Sequence, residues 1–81
     1  MNEHELESLI MTTLANAGGF VDFRTIEQAV AQAEFAKGWS DTVRCSYVRG
    51  AVGRMIRDGR IVRMKNTAKY KIGDETLNIF Q

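Results

Sequence analysis

Residues 48–63 read VRGAVGRMIRDGRIVR, which joins the end of an amphipathic helix to the start of a basic strand. Gly59 follows the last helical position, where glycine accepts the left-handed conformation that ends many helices. The pattern predicts a third helix over about residues 41–58, capped by Ser40 or Asp41. At 100° per residue, one arc of this helix is apolar and is predicted to face the core: Cys45, Val48, Val52, Met55 and Ile56.

The opposite arc of the third helix is polar, basic and small. Glycine inside an exposed helix costs about 1 kcal/mol relative to alanine. Two explanations of Gly50 and Gly53 stay open: close approach of an outside molecule, or relief of crowding against the second helix. We expect Trp39 to pack between helices and Tyr47 either to face outward or to fold over the edge of the core. The exposed arc holds Ser46, Tyr47, Gly50, Arg54 and Arg57, with Arg44 and Arg49 at its edges.

A basic hairpin follows the third helix. Residues 60–65 and 68–72 are rich in β-branched and long side chains, as strands are. They are joined around Asn66, which tolerates the left-handed geometry of a tight turn. Its basic side chains are Arg60, Arg63, Lys65, Lys69 and Lys71.

Two further helices precede this unit. An apolar stripe predicts helix 1 over about residues 3–17, ended by Gly18 and Gly19. After a short extended stretch, Asp22 is expected to cap a second helix over about residues 23–36. The chain is therefore predicted to be one small, mostly helical α+β domain over residues 1–81, with a tail at residues 74–81.

The net charge of +1 hides an uneven distribution. Residues 1–41 carry two basic and seven acidic side chains, whereas residues 42–81 carry nine basic and three acidic ones. Such asymmetry points to a polyanionic partner for the basic half. Attraction between the two halves, or plain solvation of the charges, is the alternative.

Composition excludes several classes of function. A single cysteine, Cys45, and a single histidine, His4, cannot supply a zinc tetrad or a nucleophile with its base. We expect Cys45 to be buried and inert, and we expect no enzyme, cofactor or metal. No apolar run is long enough to span a membrane and the first residues do not resemble a signal peptide, so a cytoplasmic location is expected.

The predicted order of elements resembles that of the winged helix-turn-helix family: a helix, a short strand, two helices and a basic hairpin. Residues 48–63 carry the resemblance. The resemblance implies that the third helix lies in a DNA major groove and that the hairpin, the wing, lies along the backbone or minor groove. The segment over residues 36–41 is longer than a minimal helix-turn-helix turn.

These expectations assign roles to the basic half. Base reading is assigned to Ser46, Tyr47, Gly50, Arg54 and Arg57. Contacts with the DNA backbone are assigned to Arg44, Arg49, Arg60, Arg63, Lys65, Asn66, Lys69 and Lys71. The leading hypothesis is a small bacterial or phage regulator that represses transcription by occupying double-stranded DNA, or that acts as an architectural protein.

Other partners stay open. A winged helix can instead bind a host protein, through helices 1 and 2 or through the tail. RNA is disfavoured because the aromatic side chains are few and scattered. A homodimer would suit paired half-sites. The apolar tail residues Leu77, Ile79 and Phe80 are expected to dock on helix 1, either of the same chain or of a partner copy in a homodimer.

Overall fold

The three helices, the short strand and the hairpin occur in the predicted order in the computed structural model, which describes residues 3–73. Together they make a small, mostly helical α+β fold with one antiparallel sheet. No helix in this part of the chain is long and apolar enough to cross a membrane. The predicted contacts of the tail lie outside the described residues. The elements are α1 (Glu3–Ala17), β1 (Val21–Asp22), α2 (Phe23–Ala31), a 3₁₀ helix (Glu34–Ala36), α3 (Asp41–Arg57), β2 (Ile61–Arg63) and β3 (Lys69–Ile72).

Local signals in the sequence set the boundary between α1 and α2. Gly18 follows α1 with a φ of +71°, which a side chain would disfavour. Asp22 Oδ1 accepts hydrogen bonds from Thr25 Oγ1 at 2.7 Å and from Thr25 N at 2.9 Å, so it caps α2 as predicted. These bonds, that of the Thr25 hydroxyl first, lower the pKa of the Asp22 carboxyl.

The predicted end of the second helix is wrong. α2 ends at Ala31, because the backbone N–H of Gln32 closes the last turn and Ala33 is extended. The chain then turns through the short 3₁₀ helix, which buries Ala36 and packs Phe35 against the core.

The core lies between the three helices and the inner face of the sheet. Three residues of α3 differ from the prediction: Ile56 is 38% exposed, Cys45 is only partly buried, and Ala51, which was not assigned to the core, is buried. The buried apolar residues form one cluster of Leu6, Ile10, Leu14, Val21, Ile26, Val30, Ala36, Val48, Ala51, Val52, Met55, Ile61 and Tyr70.

The sheet fastens the hairpin to the helices. The strand order is β1-β3-β2, and both pairings are antiparallel. Val21 and Arg63 both stand opposite Tyr70, so the three side chains share the face of the sheet that contains the core residue Ile61. The short extended stretch after α1 is thus a third strand that holds the hairpin in place.

Candidate nucleic-acid interface

Ser40 and Gly59 determine where α3 begins and ends. Ser40 Oγ accepts a hydrogen bond from Val43 N at 3.1 Å, so Ser40 rather than Asp41 caps the helix. Gly59 has a φ of +81° and reverses the chain, and Arg60 N then donates to Met55 O at 2.9 Å. The hairpin therefore starts beside the last turn of α3, which makes the two elements neighbours on one surface.

One face of α3 is exposed and free of large apolar side chains. Ser46, Gly50, Gly53 and Arg57 are all exposed, and their spacing of three or four residues places them on one side of the helix. The predicted exposure of Ser46, Gly50 and Arg57 is confirmed. No ion pair involves Arg57 within residues 3–73.

Packing inside the chain does not require the two glycines of this face. A Cβ atom added to Gly53 would meet nothing within 4 Å, and one added to Gly50 would meet only Arg54 Nη1, at 3.6 Å. The explanation that Gly53 lets α2 pack closely is therefore wrong. What the glycines provide is an open strip along the outer face of α3.

Arg54 and Arg60 are both paired with Glu7 of α1, so Arg54 is only partly exposed and, contrary to prediction, not free. Glu7 Oε2 accepts a hydrogen bond from Arg54 Nε at 3.3 Å, and Glu7 Oε1 accepts one from Arg60 Nη1 at 2.8 Å. Arg60 Nη2 also donates to Asp58 Oδ2 at 3.1 Å. Both arginine side chains are 39% exposed, and that of Glu7 is 16% exposed. Their charges are thus largely compensated within the chain.

The pKa values of this cluster reflect the same contacts. The hydrogen bond from Arg60 lowers the pKa of the Glu7 carboxyl, against an opposing effect of burial, and the charges of Arg60 and Arg54 add to the lowering. The hydrogen bond to Glu7 in turn raises the pKa of the Arg60 guanidinium. Each of these two shifts favours the charged form of its group, so Glu7 and Arg60 stabilise each other.

Arg44 does not lie on an exposed edge of α3, contrary to prediction. Its side chain is 19% exposed, and its Nη2 donates to Asp41 Oδ1 at 2.7 Å. Its Nε is buried and has no hydrogen-bond partner. Arg44 therefore offers little of its guanidinium to an outside phosphate.

Tyr47 belongs to an aromatic row rather than to the open strip. Its ring centroid lies 4.8 Å from that of Trp39, which lies 6.0 Å from that of Phe35. Trp39 packs against the core, as expected. Tyr47 keeps 46% of its surface exposed, but on the flank of α3 that faces α1.

Arg49 lies on the other flank, beside α2. Its guanidinium carbon is 5.9 Å from the centroid of the Phe23 ring, within the range of a cation–π contact. Its Nη2 donates to Cys45 Sγ at 3.7 Å. The side chain is exposed but oriented by these two contacts.

The hairpin carries exposed basic groups at its end. Arg63, Lys65, Asn66 and Lys69 are exposed, and Asn66 adopts the predicted left-handed conformation with a φ of +63°. Lys71 is different: it is partly buried, and its Nζ lies 5.1 Å from the centroid of the Phe20 ring. Lys71 is therefore less available to an outside phosphate than the exposed basic groups at the end of the hairpin.

A groove of about 380 Å³ separates α3 from the hairpin, and the sequence did not predict it. Arg49 and Gly53 line it on α3, and Arg63 lines it on β2. Phe23 and Ile56, which were not among the predicted site residues, contribute apolar surface. The spacing of Arg49, Gly53 and Ile56 places them on one flank of the helix, but the position of Arg63 depends on the sheet.

Acidic side chains border the first half of α3. Glu27 and Asp41 line a shallow hollow beside Ser46 and Gly50, and Glu3 lines another next to Ser46. The charge split along the sequence is therefore only partly a split in space. The most basic surface extends from the second half of α3 to the end of the hairpin.

Within residues 3–73, no group of three or more His, Cys, Asp or Glu side chains is arranged to hold a metal ion. Comparisons with protein-family models, with curated proteins and with solved structures find no match to this chain.

Proposed function

We propose that this chain is a winged helix-turn-helix protein that binds double-stranded DNA and regulates transcription by occupying its site. The observation that carries the proposal is the open strip of α3, which lies next to an exposed basic hairpin. The strip would enter the major groove, and the hairpin would follow the backbone of the flanking DNA.

The arrangement of the elements supports this architecture. The order α1, β1, α2, α3, β2 and β3 agrees with the family that residues 48–63 resemble. The pairing of β1 with β3 fastens the hairpin beside α3, where a wing would be needed. The 3₁₀ helix between α2 and α3 makes this connection longer than a minimal helix-turn-helix turn.

The two glycines support the role of α3. Each costs about 1 kcal/mol of helix stability relative to alanine, and no contact within the chain requires either of them. A helix without side chains at Gly50 and Gly53 can approach a phosphate or a base edge closely. We therefore assign base contacts to Ser46 and Arg57 on either side of these glycines.

The structure narrows the set of backbone contacts that we propose. Arg49, Arg63, Lys65, Asn66 and Lys69 remain in the proposed surface because they are exposed around the groove and the hairpin. Three of the predicted backbone contacts are left out because ion pairs or an aromatic ring engage them within the chain: Arg44, Arg60 and Lys71. Tyr47 and Arg54 are left out of the predicted base contacts for the same reason.

Binding of duplex DNA at low salt tests the proposal. With Arg49, Arg63, Lys65 and Lys69 on phosphates, log affinity should fall against log salt with a slope of about −3.6. Fluorescence anisotropy with a pool of random duplexes measures this slope, and selection from the pool identifies a preferred sequence. The absence of binding to any duplex at about 50 mM salt would contradict the proposal.

A charge-matched pair of variants locates the contact. Lys65→Gln removes a charge from the hairpin, whereas Lys37→Gln removes one from the exposed residue after the 3₁₀ helix. We expect only Lys65→Gln to weaken binding and to make the salt slope less steep by about 1. Equal effects of the two variants would show that net charge alone drives the association.

A protein partner is the second candidate. Tyr47 and Val43 are 46% and 39% exposed and lie four residues apart on α3, and the ring of Tyr47 packs against that of Trp39. Tyrosine and tryptophan are enriched in protein interfaces. A stoichiometric protein partner that survives nuclease treatment and is lost in Tyr47→Ser would favour this candidate.

A further inference from the structure

The groove between α3 and the hairpin combines an apolar lining with two cations. Val52, Ile56 and Tyr70 supply apolar surface, while Arg49 and Arg63 line it from α3 and from β2. Among the described residues that line the groove, none is acidic. In this respect it differs from the hollows bordered by Glu27 and Asp41 and by Glu3.

This lining fits an organic anion with an apolar body. A guanidinium group takes a carboxylate through two parallel hydrogen bonds, and such charge-assisted bonds are stronger than neutral ones. A volume of about 380 Å³ lies within the range of small-molecule sites and exceeds what an inorganic ion fills. An ion with a full hydration shell would also leave Val52 and Ile56 without partners.

One of the two arginines is already oriented for such a ligand. Arg49 lines both the groove and the neighbouring hollow that contains Cys45. The Phe23 ring and Cys45 Sγ restrain its guanidinium, so less rotamer entropy is lost when it binds. Gly53 leaves the wall of α3 open one turn after Arg49, since a Cβ atom there would meet nothing within 4 Å. An aromatic ring can therefore lie against the backbone of α3.

We propose that this groove binds a small aromatic carboxylate. Its negative group contacts Arg49 and Arg63, and its ring packs against Val52, Ile56 and Tyr70. This site goes beyond the proposed function, because a ligand can bind whether or not the chain binds DNA. One consequence does rest on the proposed function: the ligand competes with DNA phosphates for the same two arginines and lowers the affinity for DNA.

Titration of the full-length protein with 2-naphthoate tests the site. Amide chemical shifts in NMR spectra should change at Gly53, Ile56 and Ala68, which line the groove. The neutral 2-naphthamide should bind at least about tenfold more weakly, because it lacks the charge that the arginines recognise. Equal affinities for the acid and the amide would overturn the proposal.

One arginine variant and one lysine variant distinguish a specific contact with the anion from an effect of net charge. Arg63→Gln should weaken 2-naphthoate binding by about tenfold. Lys71→Gln, on the neighbouring strand but outside the groove, should leave it unchanged. Equal losses in both variants would mean that the anion responds only to net charge.

A matched pair of glycine variants tests the location without removing a charge. Gly53→Leu places a side chain in the groove, and the open space around Gly53 allows the variant to fold. Gly50→Leu makes the same change one turn earlier, outside the groove. Binding of 2-naphthoate should be lost only in Gly53→Leu, and retention of binding there would overturn the proposed site.

The last experiment measures the affinity for duplex DNA with and without 2-naphthoate. If 2-naphthoate binds and raises the apparent dissociation constant for duplex DNA, both the site and the competition are supported. If it binds and the DNA affinity does not change, the competition is wrong although the site stands. If the protein binds no DNA, the proposed function fails and the NMR titration still decides the ligand site.

Discussion

Glu7 in α1 and Arg60 at the start of the hairpin form an ion pair with a hydrogen bond of 2.8 Å between Oε1 and Nη1. The second carboxylate oxygen of Glu7 accepts from Arg54 in α3. One carboxylate therefore ties the first helix to the end of α3 and to the turn that follows it. The position of the hairpin relative to α3 depends on this contact as well as on the sheet.

Loss of the Glu7 charge should destabilise the fold. Glu7→Gln keeps the size of the side chain but leaves Arg54 and Arg60 without a charged partner. Since both arginines remain partly hydrated, we expect the free energy of unfolding to fall by about 1 kcal/mol. The melting temperature of a domain of this size should then decrease by about 4–8 °C.

Glu5→Gln is the matched control for this variant. It removes the same charge from the exposed side of α1, and no ion pair of Glu5 occurs within the described part of the chain. Its melting temperature should stay close to that of the wild type. A similar decrease in both variants would attribute the effect to the net charge of α1 instead of the Glu7 cluster.

The Glu7 carboxylate should also make the stability of the fold depend on pH. Because the pKa of Glu7 is lowered below its usual value of 4.5, its stabilising contribution is complete above that value and is lost as the pH falls through the lower folded value. Urea midpoints measured at about pH 5.5 and at about pH 3 should therefore fall further in the wild type than in Glu7→Gln. Parallel decreases in both proteins would contradict this account.

Two arginines of α3 should differ in their effect on DNA binding if the proposed function holds. Arg57 is exposed on the open strip, whereas Arg54 is paired with Glu7. Arg57→Gln should weaken binding to the preferred duplex by about tenfold or more and reduce discrimination between sequences. Arg54→Gln should change the affinity by less than about twofold but lower the melting temperature. Anisotropy and thermal unfolding of both variants measure the difference.

The opposite result for Arg54→Gln and Arg57→Gln would also be informative. If Arg54→Gln is as harmful to DNA binding as Arg57→Gln while its melting temperature is unchanged, Arg54 leaves Glu7 when DNA binds. The pairing of Arg54 with Glu7 would then not persist in the complex with DNA.

Features that depend on neighbouring residues in the sequence were predictable. Gly18 and Gly59 end helices because each adopts a positive φ, and Asp22 starts α2 because Thr25 lies three residues away. Asn66 adopts a left-handed conformation because asparagine tolerates it in a tight turn. These signals determined the order of the elements and most of their boundaries.

Features that depend on distant residues were not predictable. The partner of Arg54 and Arg60 is Glu7, which is 47 and 53 residues away in the sequence, so no local pattern shows that both charges are compensated. Ile56 was assigned to the core because its arc is apolar, yet it lines the groove beside the hairpin and is 38% exposed. The groove appears only when the sheet brings Arg63 beside α3.

Alanine at Gly53 and at Gly73 should have opposite effects on stability. A Cβ atom at Gly53 lies in open space inside a helix, so Gly53→Ala should stabilise the fold by about 1 kcal/mol. Gly73 is buried after β3, where its N–H donates to Arg60 O at 2.8 Å and an added Cβ atom would overlap the carbonyl oxygen of Gly59. Gly73→Ala should therefore destabilise the fold by about 1–3 kcal/mol, as measured by urea unfolding.

The Gly53 variant also separates a structural reason for the glycine from a functional one. If Gly53→Ala unfolds at higher urea but binds duplex DNA more weakly, glycine is needed for contact with the DNA and not for the fold. Gly59→Ala is the control with a known strain, since its φ of +81° disfavours any side chain, and it should be destabilised. A Gly53→Ala protein that is less stable than the wild type would show that α3 itself requires this glycine, and the support that the open strip gives to DNA binding would be lost.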